Sequence, residues 1–150
     1  MITTQELSQM ELFKGLSEDQ LGEIAKACET LNFRAGDIVV HEGDEADRVL
    51  VLLEGEVEIF VQLSSSPERI PLSIIKNPYQ TFGWSALVPP NYYTASSLCK
   101  KDTRIVAIKR DALMQVLENN PEIGMTVYQR IAKVVSERLR NCRGILIKSL

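Results

Sequence analysis

At Thr30 the hydrophobic rhythm of the chain changes from helical to alternating, and at Asp111 it changes back. The stretch between them holds the runs LNF, DIVV, RVLVLL, EVEIFVQL, IPLSII, TASSLC and TRIVAI. Turn residues punctuate these runs at Gly36, Gly43, Gly55, Ser64 to Glu68 and Lys100 to Asp102. Short strands at this spacing can bury their apolar faces only against one another, which predicts an antiparallel sandwich or barrel of about seven strands. Val57, Ile59, Val61 and Leu63 alternate with Glu56, Glu58, Phe60 and Gln62, predicting a strand buried on one face. Glu54-Gly55 predicts a tight hairpin joining that strand to its predecessor.

Helices flank this β region. Thr3 to Glu6 reads as a capping box ahead of a short helix carrying Leu7 and Met10. Ser17 and Gln20 form a second box ahead of a stripe of Leu21, Ile24, Ala25 and Cys28. On the C-terminal side, Asp111 is expected to cap ALMQVLE. Asn120 is then expected to cap a further helix with Pro121 at its first position, running to about Gly144 or beyond. Tyr128, Ile131, Val135, Leu139, Cys142 and Leu146 recur along it at coiled-coil spacing. This seam has two readings: packing on the chain's own β region, or pairing with a second copy. Its length favours pairing, since a helix of about 25 residues outruns a domain of this size. The 150 residues are expected to form one domain, with N-terminal helices over 1–29, a β-roll over 30–110 and C-terminal helices over 111–150.

Composition excludes several function classes. A net charge of −3 without a cluster of Lys and Arg argues against a nucleic-acid-binding surface, and Lys100-Lys101 reads as a solvated turn. Cys28, Cys99 and Cys142 are odd in number and far apart, which suggests small buried hydrophobes in a reducing cytoplasm. No apolar run approaches the length of a membrane span. His41 is the single histidine, with no nucleophile elbow and no companions beyond solvated turn acids. Neither catalysis nor a metal is expected, and no cofactor is required.

The order of these pieces resembles the cyclic-nucleotide-binding domain, the effector module of Crp/Fnr-type regulators, kinase regulatory subunits and cyclic-nucleotide-gated channels. The resemblance rests on LFKGLSEDQLGEIA, FRAGDIVVHEGDEAD, VLVLLEGEVEIF, FGWSAL, YTAS and IVAIKRDAL, which span nearly the whole chain in the family's order. It implies a mainly β fold: an antiparallel double-stranded β-roll, of jelly-roll or cupin-like form, with N-terminal helices and a long C-terminal helix.

The family's phosphate cassette is a glycine turn followed by a short helix whose amides face a cyclic phosphate. A glutamate there accepts from the ribose, and an arginine pairs with the phosphate. By resemblance, Phe82 and Gly83 match the turn, Ser85 and Ala86 the amide-bearing residues, and Thr94 and Ala95 the strand that follows. Trp84 stands at the glutamate position and Tyr93 at the arginine position, and no arginine lies between Phe82 and Cys99. Two lost charge-assisted bonds, at roughly 1.5–3 kcal/mol each, weaken cyclic-nucleotide binding by about a hundred- to ten-thousand-fold. Three readings of the aromatics stay open, one of them a pocket that opens only in a partner complex. In the other two, they fill a pocket that no ligand enters, or they form an altered pocket that stacks a planar group, with the Tyr93 hydroxyl as donor.

The expectation is therefore a cytoplasmic, non-enzymatic regulatory module, a homodimer through its last helix. It would bind a nucleotide or other small molecule, cyclic AMP and cyclic GMP weakly or not at all, and relay occupancy through the dimer helix to a protein partner. The competing expectations are a ligand-free dimeric scaffold and, if residues follow Leu150, the effector domain of a DNA-binding regulator.

Overall fold

A computed structural model describes residues 2–150. Three short helical segments come first: α1 (Thr4–Ser8), a 3-10 turn (Glu11–Phe13) and α2 (Glu18–Ala25). Eight strands follow: β1 (Cys28–Phe33), β2 (Ile38–Val40), β3 (Arg48–Glu54), β4 (Val57–Gln62), β5 (Arg69–Ile75), β6 (Thr81–Phe82), β7 (Ser96–Cys99) and β8 (Thr103–Lys109). A second 3-10 turn (Trp84–Leu87) lies between β6 and β7, and α3 (Arg110–Asn119) and α4 (Pro121–Ser149) close the chain. The strands form two four-stranded antiparallel sheets, ordered β1-β8-β3-β6 and β2-β7-β4-β5. The expected mainly β, antiparallel roll with flanking helices is thus the observed fold.

The inner strands of the first sheet are buried on both faces. From β3, Leu50 and Leu52 enter the space between the sheets, where they meet Val57, Ile59, Ile75, Phe82, Ile105 and Ala107. Val49 and Val51, on the opposite face, join Val106 and Ile108 beneath Leu7, Met10, Phe13, Ile24, Leu113 and Val127 of the helices. Two-sided burial is why RVLVLL and TRIVAI read as near-continuous apolar runs.

Local capping follows the sequence at the N-terminus and departs from it elsewhere. The Ser17–Gln20 box is complete, and Thr3 accepts from the Glu6 amide at 3.1 Å. Cys28 leaves the α2 stripe and opens β1, its Sγ donating to the Ile24 carbonyl at 3.3 Å while burial pushes the thiol up to about 12. Asp111 lies inside the first turn of α3, not ahead of it, and pairs with Arg110. Pro121 does take the first position of α4. The Asn120 side chain, however, donates back to the Val116 carbonyl at 2.9 Å and does not cap α4.

Tertiary pairing corrects two strand expectations. Glu54-Gly55 is not a hairpin: β3 belongs to one sheet and β4 to the other, so the turn carries the chain across the sandwich. Gly55 has φ +115°, and a Cβ there would lie 2.7 Å from Thr103 Cα and 2.8 Å from the Asp102 carbonyl oxygen. Only a residue without a side chain permits that approach. The expectation that β4 buries one face also fails, because Glu58 and Phe60 are buried along with Val57 and Ile59. Arg69 covers the second face. Its Nε donates to Glu58 Oε2, its guanidinium stands 5.9 Å from the Phe60 ring centroid, and Lys100 Nζ reaches Glu58 at 3.8 Å. β6, absent from the expected strands, is two residues long and exists through its pairing with Leu50 and Val51.

The seam expected on α4 divides into two neighbouring stripes. Ile131 is buried in the chain's own core with Val127 and Val134, while Val135 and Cys142 are half-buried against the roll. Tyr128, Leu139 and Leu146 stay exposed, at 38%, 69% and 61%. Since 3.6 residues make a turn, these three lie along one side of α4, beside the stripe that faces the roll. No helix among the described residues is long and apolar enough to cross a membrane.

Candidate functional site

The cassette region begins where β6 ends. Phe82 is anchored in the inter-sheet core and paired with Leu50. Gly83, at φ +65°, then turns the backbone directly over the Leu50 side chain; a Cβ would lie 2.9 Å from Leu50 Cδ1 and 3.4 Å from Tyr93 Cε1. The 3-10 turn that follows buries Ser85, Ala86 and Leu87 and leaves Trp84 half-buried. Asn91, itself at φ +65°, holds the end of this turn. Its Nδ2 donates to the carbonyls of Ser85 (3.1 Å) and Ala86 (3.0 Å).

Tyr93 is an anchor in this structure. Its ring is 6% exposed, and its hydroxyl donates to the Arg48 carbonyl at 2.8 Å. Burial raises its pKa from the usual 10 to about 12. Its single proton is already given to the β3 backbone, so of the readings left open, the one that uses this hydroxyl as a ligand donor is not favoured.

Across from the cassette, α4 passes close enough to form a wall. The two enclose a cleft of about 250 Å³. Of the residues expected at a ligand site, Phe82, Gly83, Trp84, Ser85, Tyr93, Thr94 and Ala95 line it; Ala86 does not, being packed in the core. The floor is Val40, Ile59, Leu72 and Ser97, and α4 supplies Val135, Arg138, Leu139 and Cys142. Three positions of the expected dimer seam thus also border this cleft.

Sequence reasoning missed Arg138. It sits one turn from Val135 and Cys142 on the same side of the helix, but a reading confined to apolar positions passes over it. Its Nη1 donates to Ser73 Oγ at 2.8 Å and its Nη2 to the Thr81 carbonyl at 3.0 Å, tying α4 to β5 and β6. No carboxylate pairs with it among the described residues. Burial lowers its pKa, with Glu137 as the main opposing influence. No group of three His, Cys, Asp or Glu side chains suited to a metal occurs among the described residues.

Comparison with known proteins adds ancestry to this geometry. The family model of the cyclic nucleotide-binding domain matches residues 30–120. Over 140 residues, 93% of its length, the chain is 27% identical to a CRP-like cAMP-activated global transcriptional regulator of Mycobacterium tuberculosis. Over 111 residues, 74% of its length, it is 29% identical to a cAMP-dependent protein kinase regulatory subunit of Emericella nidulans. The matched region is 60% of that regulator and 26% of that subunit. Among solved structures, a protein of Geobacter metallireducens described as a cyclic nucleotide-binding protein is 33% identical. It superposes with a TM-score of 0.80 over 93% of this chain and 99% of its own.

Proposed function

The chain belongs to the cyclic nucleotide-binding domain family, and we propose that it is a non-enzymatic regulatory module with an altered ligand pocket. A small ligand enters the cleft between Gly83–Ser85 and α4, and its occupancy is relayed through α4. One observation carries this reading: the same cleft is walled by the cassette on one side and by Val135, Arg138, Leu139 and Cys142 on the other. A ligand filling it touches the helix and biases its position, which is the differential contact that any ligand-driven shift needs. We take residues 1–150 as the working unit and place it in the cytoplasm, in keeping with three unpaired cysteines.

Cyclic AMP and cyclic GMP bind weakly or not at all in this reading. Trp84 offers no carboxylate for a ribose, and Tyr93 offers no cation and no free donor. Native mass spectrometry of the purified protein, with calorimetry against both nucleotides, tests it. The expected result is no constant tighter than micromolar, and a sub-micromolar one overturns the altered-pocket assignment.

Pairing of two copies along the exposed side of α4 that carries Tyr128, Leu139 and Leu146 completes the proposal, because exposed apolar side chains on one side of a helix favour cover. Two parallel α4 helices meeting along that side would move together when the clefts fill. The commitment of the Tyr93 hydroxyl to Arg48 favours a second reading, a dimeric scaffold whose cleft stays empty. Within a longer protein, the same module would serve as the effector part of a DNA-binding regulator. The similarity to part of a transcriptional regulator supports that third reading.

A further inference from the structure

We propose that the cleft takes a small organic anion bound with its charged end at α4, its oxyanion on the Arg138 guanidinium and its flat apolar body against Trp84 and Leu139. This rests on the ligand-sensing reading above and reverses the polarity that the cassette alone would suggest. Among the described residues, Arg138 is the sole charged side chain lining the cleft; every other lining residue is apolar or neutral. A guanidinium has five N–H donors, and Arg138 gives one to Ser73 and one to the Thr81 carbonyl, leaving three without a protein acceptor among the described residues.

Both of those acceptors are neutral. They hold the guanidinium in a fixed orientation and leave it without a carboxylate in direct contact, Glu137 being the main opposing charge. Fixed donors that await an acceptor, in a region that water only partly reaches, bind an oxyanion more strongly than a free surface arginine does. The guanidinium plane matches two-pronged pairing with a carboxylate or a phosphate.

The remaining wall determines the rest of the ligand. Leu72, Trp84, Val135 and Leu139 offer apolar surface and one large aromatic face, with no side-chain carboxylate to recognise a sugar. About 250 Å³ is below the roughly 300–1,000 Å³ of pockets that enclose drug-sized molecules, so the body is about one or two rings. Carboxylate and phosphate esters share this chemistry, and the test separates them.

Trp84 is the single tryptophan and lines the cleft, so its emission reports occupancy directly. The whole chain is titrated with benzoate, phenyl phosphate and the neutral benzamide. We expect saturable changes with the anions and at least tenfold weaker binding of benzamide. Tenfold preference for phenyl phosphate over benzoate identifies a phosphoryl ligand, and the reverse identifies a carboxylate; both support the assignment. Arg138→Gln, shown to be folded by circular dichroism, should erase the anion preference, and Arg138→Lys should keep most of it. Benzamide binding as tightly as benzoate to the wild type overturns the anion assignment while leaving the ligand-sensing reading intact. That comparison does not depend on any variant folding. Undiminished anion binding by folded Arg138→Gln removes Arg138 as the partner. If none of the three probes alters Trp84 emission, this inference fails, while the ligand-sensing reading is decided by the mass spectrometry described above.

Discussion

The hydroxyl of Tyr93 donates to the main-chain carbonyl of Arg48 at 2.8 Å, fastening the loop after the cassette to the start of β3. The bond explains why the residue at the family's arginine position is a buried tyrosine. It holds the cassette side of the cleft in place, with the hydroxyl committed to the backbone. Tyr93→Phe should therefore cost about 1–3 kcal/mol, the penalty for a buried carbonyl left without its donor. The same variant should leave ligand titrations unchanged. Because burial raises the folded-state pKa from 10 to about 12, the folded protein holds this proton more tightly than the unfolded chain. The contribution is complete below pH 10 and declines as pH rises toward 12. Denaturant melts of both proteins across that window should show a steeper decline for the wild type; parallel curves would remove Tyr93 as the cause.

Gly83→Ala should destabilise by about 1–3 kcal/mol, through the left-handed backbone and the close approach to Leu50 together. Since the cassette turn starts here, the variant should also change Trp84 emission before any ligand is added. An unaltered spectrum with an unaltered melting temperature would mean that the turn relaxes freely.

Asn91 separates backbone from side-chain effects. Asn91→Gly keeps access to φ +65° and removes only the two bonds to the Ser85 and Ala86 carbonyls, whereas Asn91→Ala adds backbone strain. Both variants should be less stable than the wild type, and the alanine should be worse by about 1 kcal/mol. Equal melting temperatures for the two would assign the whole effect to the side chain.

Assembly gives the sharpest contrast on α4. Leu139→Glu changes an exposed position, so it should leave the fold intact and halve the mass seen by light scattering. Ile131→Glu forces a charge into the core at a position 3% exposed, at a cost of at least about 3 kcal/mol. A wild type that is monomeric at high concentration ends the dimer proposal. A Leu139→Glu protein that remains dimeric moves the contact away from this stripe.

Local chemistry accounts for what could be read directly. Period and turn residues located most of the strands, the Ser17–Gln20 cap and the Pro121 start, because these depend on neighbours a few residues away. The same reading singled out Gly83, Trp84, Ser85, Tyr93, Thr94 and Ala95, which occupy one short stretch of chain and line one cleft. It also established that this stretch contains no cation.

What the tertiary structure alone decided is what covers each face. Apolar alternation shows that a residue wants burial and not which element will bury it. The Glu54-Gly55 turn therefore looked like a hairpin until β8 and β6, rather than β4, took the edges of β3. Glu58 and Phe60 looked exposed until Arg69 lay across them. The α4 seam likewise looked like one surface. Its division into a core-facing and an open stripe follows from the angle at which the helix crosses the roll, and no helical period encodes that angle. Arg138 reaches Ser73 and Thr81 for the same reason. Arg138 comes to the cleft from a distant helix, by contacts that exist only once the two sheets have closed and α4 has packed across them.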